Sequence, residues 1–86
     1  MKMVKIFTSD KCPRCPRAKE LGARLVDKGF VVQLHDVDTA DGLAEATLNR
    51  VLGTPSILVV DGESETVIRD WRGVLPPEDE VLHALG

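Results

Sequence analysis

The chain has 86 residues, with 11 Lys and Arg against 14 Asp and Glu and a formal net charge of −3. That length suits one small domain spanning 1–86 with a modest core. The acidic balance argues against a nucleic-acid partner, and no apolar run approaches the ~20 residues that a membrane span needs. Met1-Lys2-Met3-Val4 leads straight into strand-like sequence without the apolar stretch of a secretory signal, so a cytoplasmic address is expected. Phe7, Phe30 and Trp71 are the only aromatic residues, which leaves an aliphatic core.

Met3–Ser9 is a short apolar run rich in strand formers and reads as a buried strand. Pro13–Lys28 has helical period, with Ala18, Leu21, Leu25 and Val26 on one face around Gly22, a Glu20–Arg24 pair at i,i+4, and Gly29 as its stop. Phe30–Val37 reads as a second strand. Asp38 or Thr39 is placed to cap a helix running from about Ala40 to Leu52, with Ala44, Leu48, Val51 and Leu52 as its apolar face and Gly53 ending it. Ser56–Val60 lacks alternation, as a strand buried on both faces would. Asp61-Gly62 signals a turn, and Thr66–Trp71 returns as a more polar edge strand. Pro76-Pro77-Glu78-Asp79-Glu80 opens a last helix that buries Val81, Leu82 and Leu85. The order β-α-β-α-β-β-α requires a right-handed parallel crossover between the first two strands and then an antiparallel hairpin. The chain is therefore α/β, a small mixed sheet with helices on both faces.

The two cysteines, Cys12 and Cys15, lie between the first strand and the first helix. A bridge across two residues closes too small a loop to remove much unfolded-state entropy, so the pair is a poor staple and calls for a chemical role. A helix N-terminus offers free N–H groups and the positive end of the dipole, which favour a thiolate over a thiol. Lys11, Arg14, Arg17 and Lys19 add positive charge in a segment without acids, so Cys12 is expected to ionise below the ordinary thiol value of about 8.5. Cys12 precedes the first turn and can face solvent as nucleophile; Cys15, one turn on, is the more covered resolving thiol. Pro13 suits the first helical position, and Arg14 tunes the thiolate. Pro16 fits a helix less well and is expected to cost a hydrogen bond or kink the first turn. The rival readings are inert structural thiols and half of a zinc site. The other zinc-ligand candidates, His35 and His83, lie far apart without paired spacing, so no metal is expected.

The segment Phe7-Thr8-Ser9-Asp10-Lys11-Cys12-Pro13-Arg14-Cys15-Pro16 resembles the active-site stretch of glutaredoxins and of the small, glutaredoxin-sized thioredoxins. Gly53-Thr54-Pro55-Ser56 resembles the second signature of that superfamily, where Thr or Val precedes a cis-proline beside the cysteines. The resemblance covers essentially the whole chain. It implies a thioredoxin fold, with a four-stranded mixed sheet in the order 2-1-3-4 flanked by three helices, and a cis Thr54–Pro55 bond. It also implies that the Thr54 backbone pairs with an extended substrate segment. The implied activity is reduction of protein disulfides by a monomer with no bound cofactor, recharged by a flavin-dependent reductase of the thioredoxin reductase type.

Glutaredoxins usually carry Cys-Pro-Tyr-Cys and a Gly-Gly stretch that helps hold glutathione. Here the middle residue is Arg14, and Trp71-Arg72-Gly73-Val74-Leu75-Pro76 has one glycine, so a glutathione-dependent activity stands second. Thioredoxins usually carry Cys-Gly-Pro-Cys, absent here, and a buried Asp where this chain has Ile6. A redox-sensing or metal-bridged binding module stands third. Gly73 is a candidate for close approach of a substrate backbone or simply a strand breaker, and Trp71 belongs equally to a peptide-binding surface or to the core. Asp36 and Asp38 could place a carboxylate near Cys15 but are read rather as solvated strand-end residues or helix caps, His35 as a strand-surface residue, and His83 as compensation for the last helix's dipole.

Overall fold

The structure is a computed structural model that describes all residues 1–86. Its elements in chain order are β1 (Lys2–Thr8), α1 (Cys15–Asp27), β2 (Val31–Asp36), α2 (Ala40–Leu48), β3 (Ser56–Asp61), β4 (Val67–Arg72) and α3 (Glu78–Leu85). The strands form one sheet in the order β2-β1-β3-β4. β1 runs parallel to β2 in a register that sets Ile6 against Leu34, and antiparallel to β3, where Ile6 meets Ile57. The expected order and topology are the observed ones. No helix is long and apolar enough to cross a membrane.

Strand alternation sends successive side chains to opposite faces, and the core divides accordingly. Val4, Ile6, Ile57 and Val59 pack with Ala18, Leu21 and Leu25 of α1 and with Val81 and Leu85 of α3. Met3, Phe7, Leu58 and Val60 pack on the other face with Ala46 of α2 and with Val51. β3 is buried on both faces, as its unbroken apolar run requires. Each fully buried aliphatic side chain contributes about 2 kcal/mol by area. Trp71 belongs to the first cluster, and its indole N–H donates to Glu80 at 3.1 Å, which removes it from the peptide-binding candidates.

Several local expectations need correction. α1 starts at Cys15, so Pro13 sits in the turn before the helix and Pro16 occupies the first turn, where no intrahelical N–H is needed and no bond is lost. Val26 is exposed, and the buried face is Ala18, Leu21, Gly22 and Leu25. Arg24 pairs with Glu78 of α3 and not with Glu20, and Lys28 joins the same carboxylate at 3.0 Å. Gly29 does stop α1: at φ +92 it closes a Schellman turn in which Phe30 N–H donates to the Leu25 carbonyl at 3.0 Å. α2 ends at Leu48, with Arg50 in the left-handed region (φ 56) and Val51 N–H donating to the Ala46 carbonyl at 2.8 Å. Its buried residues are Gly42 and Ala46, whereas Ala44 and Leu48 are exposed and Leu52, beyond the helix, is 100% exposed. Thr39 rather than Asp38 is the cap, accepting from Gly42 N–H at 3.0 Å.

Lys5 of β1 is a charged residue 2% exposed in a face that reads as apolar. Its ammonium donates to Glu45 of α2 at 2.6 Å and to Glu65 at 2.7 Å. Glu65 adopts φ 57, an uncommon backbone for a side chain of its size. Burial alone would lower the Lys5 pKa, but the two carboxylates outweigh it and hold the pKa above 10.5. The same hydrogen bond holds the Glu45 pKa below its ordinary 4.5. A depressed carboxylate contributes stability in full above its unfolded pKa and loses it as pH falls through the folded value; a raised ammonium contributes below 10.5 and loses it as pH rises through the folded value. Urea midpoints are therefore expected to drop between about pH 5 and about pH 3, more shallowly in Glu45→Gln than in the parent. An equally steep drop in the variant would assign the acid sensitivity elsewhere.

Candidate active site

Cys12 and Cys15 are joined as a disulfide, with Cα atoms 5.3 Å apart, at the mouth of α1. The loop that carries them is built from short-range bonds: Cys12 N–H donates to the Ser9 carbonyl at 3.1 Å and Cys15 N–H to the Cys12 carbonyl at 3.2 Å. Asp38, in the loop after β2, clamps the start of this loop by accepting from the Ser9 hydroxyl at 2.9 Å and the Asp10 N–H at 3.0 Å. The Asp10 amide, then the Ser9 hydroxyl, hold the Asp38 carboxyl below its ordinary pKa, and Lys11 adds to this. Asp38 thus anchors the cysteine loop, while Asp36 accepts from Asp38 N–H and offers its carbonyl to the Thr39 hydroxyl.

The two cysteines are unequal. Cys15, the first residue of α1, is 1% exposed, whereas Cys12 is half-buried. α1 has no acidic residue in its first turn. Lys11, Arg14, Arg17 and Lys19 are exposed, and none is in an ion pair. Lys11 and Pro13 make no side-chain hydrogen bond. Arg14 does: its guanidinium crosses to the turn after β4 and donates to the Gly73 carbonyl at 3.2 Å.

The second segment comes from the approach to β3. The Thr54–Pro55 bond is cis, Pro55 is buried, and Thr54 is half-buried. The Thr54 N–H and C=O take no partner within the chain. Ser9, three residues before Cys12, lines one groove of about 210 Å³ with Gly53 and Thr54. Ser56, fully buried, staples this segment to the next: its hydroxyl donates to the Gly53 carbonyl at 2.6 Å and accepts from Gly73 N–H at 3.1 Å. Gly73 has φ +73, a conformation that favours glycine. The sequence-based site residues Arg14 and Gly73 therefore meet directly, and the Thr54 segment is tied to Gly73 through Ser56. Sequence reasoning missed Ser56, the Asp38 clamp and the Arg14–Gly73 bond. Each joins residues 17 to 59 positions apart, so no local signal marks them.

Ile6, fully buried in the apolar cluster against α1, supplies no titratable group there. His35 stacks on Phe7 with ring centroids 5.1 Å apart, and burial pushes its pKa down. His83 lies in the last turn of α3. No group of three or more His, Cys, Asp or Glu side chains converges in the structure.

No family model matches the chain. Among solved structures, a thioredoxin from Thermus thermophilus superposes with a TM-score of 0.69 at 24% identity, over 98% of this chain and 71% of that one. Thioredoxin O2 from Arabidopsis thaliana in its oxidised state gives 0.78 at 16% identity, over 99% and 72%. These two likenesses establish the fold. A probable thioredoxin from Archaeoglobus fulgidus is 31% identical over 84 residues, which takes in 85% of this chain and 92% of that protein. A likeness of that identity runs nearly end to end in both proteins, and with it the chain belongs to the thioredoxin family.

Proposed function

We propose that this thiol–disulfide oxidoreductase reduces protein disulfides by dithiol exchange, with Cys12 as nucleophile and Cys15 as resolving thiol. The observation that carries the reading is the unequal cysteine pair at the N-terminus of α1: Cys12 reachable, Cys15 1% exposed, both within bonding reach. In the reduced state the dipole of α1 and the unpaired cations Lys11, Arg14 and Arg17 favour a Cys12 thiolate. Pro13 keeps the turn between the cysteines short of one N–H donor.

In the first step a Cys12–substrate disulfide forms, the substrate disulfide breaks, and its second sulfur leaves as a thiolate that takes up a proton. In the second, Cys15 loses its proton and attacks Cys12 Sγ. The Cys12–substrate bond breaks as the Cys12–Cys15 bond forms, and the freed substrate sulfur is protonated. The substrate gains two electrons and two protons, and the chain is left oxidised. With Ile6, which cannot titrate, in the apolar cluster against α1, the Cys15 proton passes to solvent or to the departing thiolate. The unpaired Thr54 N–H and C=O offer an extended substrate segment two backbone bonds, and Gly73 leaves room for its approach. A flavin-dependent reductase of the thioredoxin reductase type would return the two electrons, with no cofactor held by this chain.

The test is a coupled assay on a disulfide-containing protein substrate, run once with NADPH and such a flavoprotein and once with NADPH, glutathione and glutathione reductase. Faster turnover with the flavoprotein is expected. Turnover that requires glutathione would replace this reading by a glutaredoxin-like one.

A further inference from the structure

Beside the cysteine loop lies a groove of about 370 Å³ lined by Arg50, Leu52, Gly53, Arg72 and Gly73. That is room for one or two side chains of a bound segment. Its floor is backbone: the Cα of Gly73 lies 3.9 Å from where a Cβ on Gly53 would stand, and nothing lies within 4 Å of the corresponding position on Gly73. Arg14, between the two cysteines, reaches the carbonyl of that same Gly73. Two arginines therefore line this groove and a third is bonded to its Gly73, on a chain whose net charge is −3.

The three are not equivalent. Arg72 is engaged, paired with Asp70 at 2.6 Å and donating to the carbonyls of Asn49 and Arg50 at 2.9 and 3.1 Å, where it closes the C-terminus of α2. Arg14 and Arg50 have no carboxylate partner. Arg14 holds only a neutral carbonyl, a bond that a carboxylate would readily displace because its hydrogen bonds to guanidinium are charge-assisted. Arg50 is exposed and makes no side-chain hydrogen bond, and its left-handed backbone (φ 56) would be better served by Asn or Gly.

We propose that Arg14 and Arg50 select disulfide substrates whose target cysteine is flanked, within about two residues, by Asp or Glu. This rests on the thiol–disulfide reading above and adds the substrate class. An extended segment paired with Thr54 carries its side chains alternately to each side, so of the residues one and two away from the cysteine only one set is turned toward the Gly53–Gly73 floor. The occupant is a protein segment, since the groove is open and continues from the unpaired Thr54 backbone. The cations Lys11, Arg14, Arg17 and Arg50, none of them in an ion pair, also steer such substrates in orientation.

Three disulfide-linked peptides identical except for Glu, Gln or Lys beside the cysteine are reduced by the reduced protein, and each rate is normalised to that with dithiothreitol. The Glu peptide is expected to exceed the Lys peptide by about tenfold at low salt, with the gap closing near 0.5 M salt as charges are screened. Arg50→Asn, which suits the left-handed backbone, is expected to lower the Glu/Lys ratio severalfold; a purely structural role for Arg50 would move all three rates together. Arg14→Gln changes every rate through the thiolate, and is expected to lower the ratio as well. Equal normalised rates, a ratio unmoved by Arg50→Asn, or glutathione disulfide outpacing the Glu peptide would each overturn the inference and leave the dithiol reading standing. Failure to reduce any of the three would bring down both.

Discussion

A Cys15→Ser variant is expected to accumulate a one-to-one mixed disulfide with its substrate, while steady-state turnover falls by about a thousandfold or more. The reason is the division of exposure between the two sulfurs. Cys12 is half-buried and open to an incoming disulfide, so the first exchange proceeds without Cys15. Release then requires a second thiol within bonding reach, and Cys15 is the only other cysteine in the chain. Cys12→Ser is expected to be equally inactive and to form no adduct, because Cys15 is 1% exposed at the start of α1. Mass spectrometry of both variants after incubation with a disulfide substrate reads the result directly. An adduct on Cys15 in Cys12→Ser, as abundant as the one on Cys12, would reverse the assigned roles.

Gly42→Ala is expected to destabilise the fold by about 3 kcal/mol, or to prevent folding. A Cβ on Gly42 would overlap the carbonyl, carbonyl carbon and amide nitrogen of Asp36. Backbone on both sides leaves no flexible side chain to yield, so α2 must lift from the end of β2. The displacement reaches the active site, because the Asp36–Thr39 segment pinned under Gly42 carries Asp38, which holds Ser9 and Asp10. Urea unfolding of Gly42→Ala checks the stability, and reactivity of Cys12 with a thiol reagent in any folded fraction checks the coupling. A variant within about 0.5 kcal/mol of the parent would mean that α2 rides on the sheet with more slack than this contact allows.

The elements whose patterns are local were legible in the sequence. The apolar run of β3, the Gly29 stop and the Pro-acid opening of α3 each bear their own signal, and together with the Cys-Pro-Arg-Cys and Thr-Pro segments they point to the observed topology. α2 was legible as a helix but not in its orientation. Its large apolar residues, Leu43 and Leu48, face out, and it meets the sheet through Gly42 and Ala46, which periodicity weights least. Its end was also hidden, because Arg50 carries the left-handed turn that glycine usually marks. Nothing local in the buried β1 explains its Lys5, and only Glu45 and Glu65, 40 and 60 residues away, make its burial tolerable. The groove beside Gly73 depended in the same way on meetings between distant segments.

The central claim is that Cys12 and Cys15 form a reversible two-electron couple, and equilibration across a glutathione redox series tests it most directly. Samples are acid-quenched, the free thiols alkylated, and the species read by mass spectrometry. The account predicts one reversible transition between the dithiol and the Cys12–Cys15 disulfide, near about −250 mV or below, with little glutathione adduct. A pair that stays reduced across the whole series would contradict it, and a transition above about −200 mV with abundant adduct on Cys12 would keep the couple but replace the protein-disulfide reductant by a glutaredoxin- or oxidant-like role.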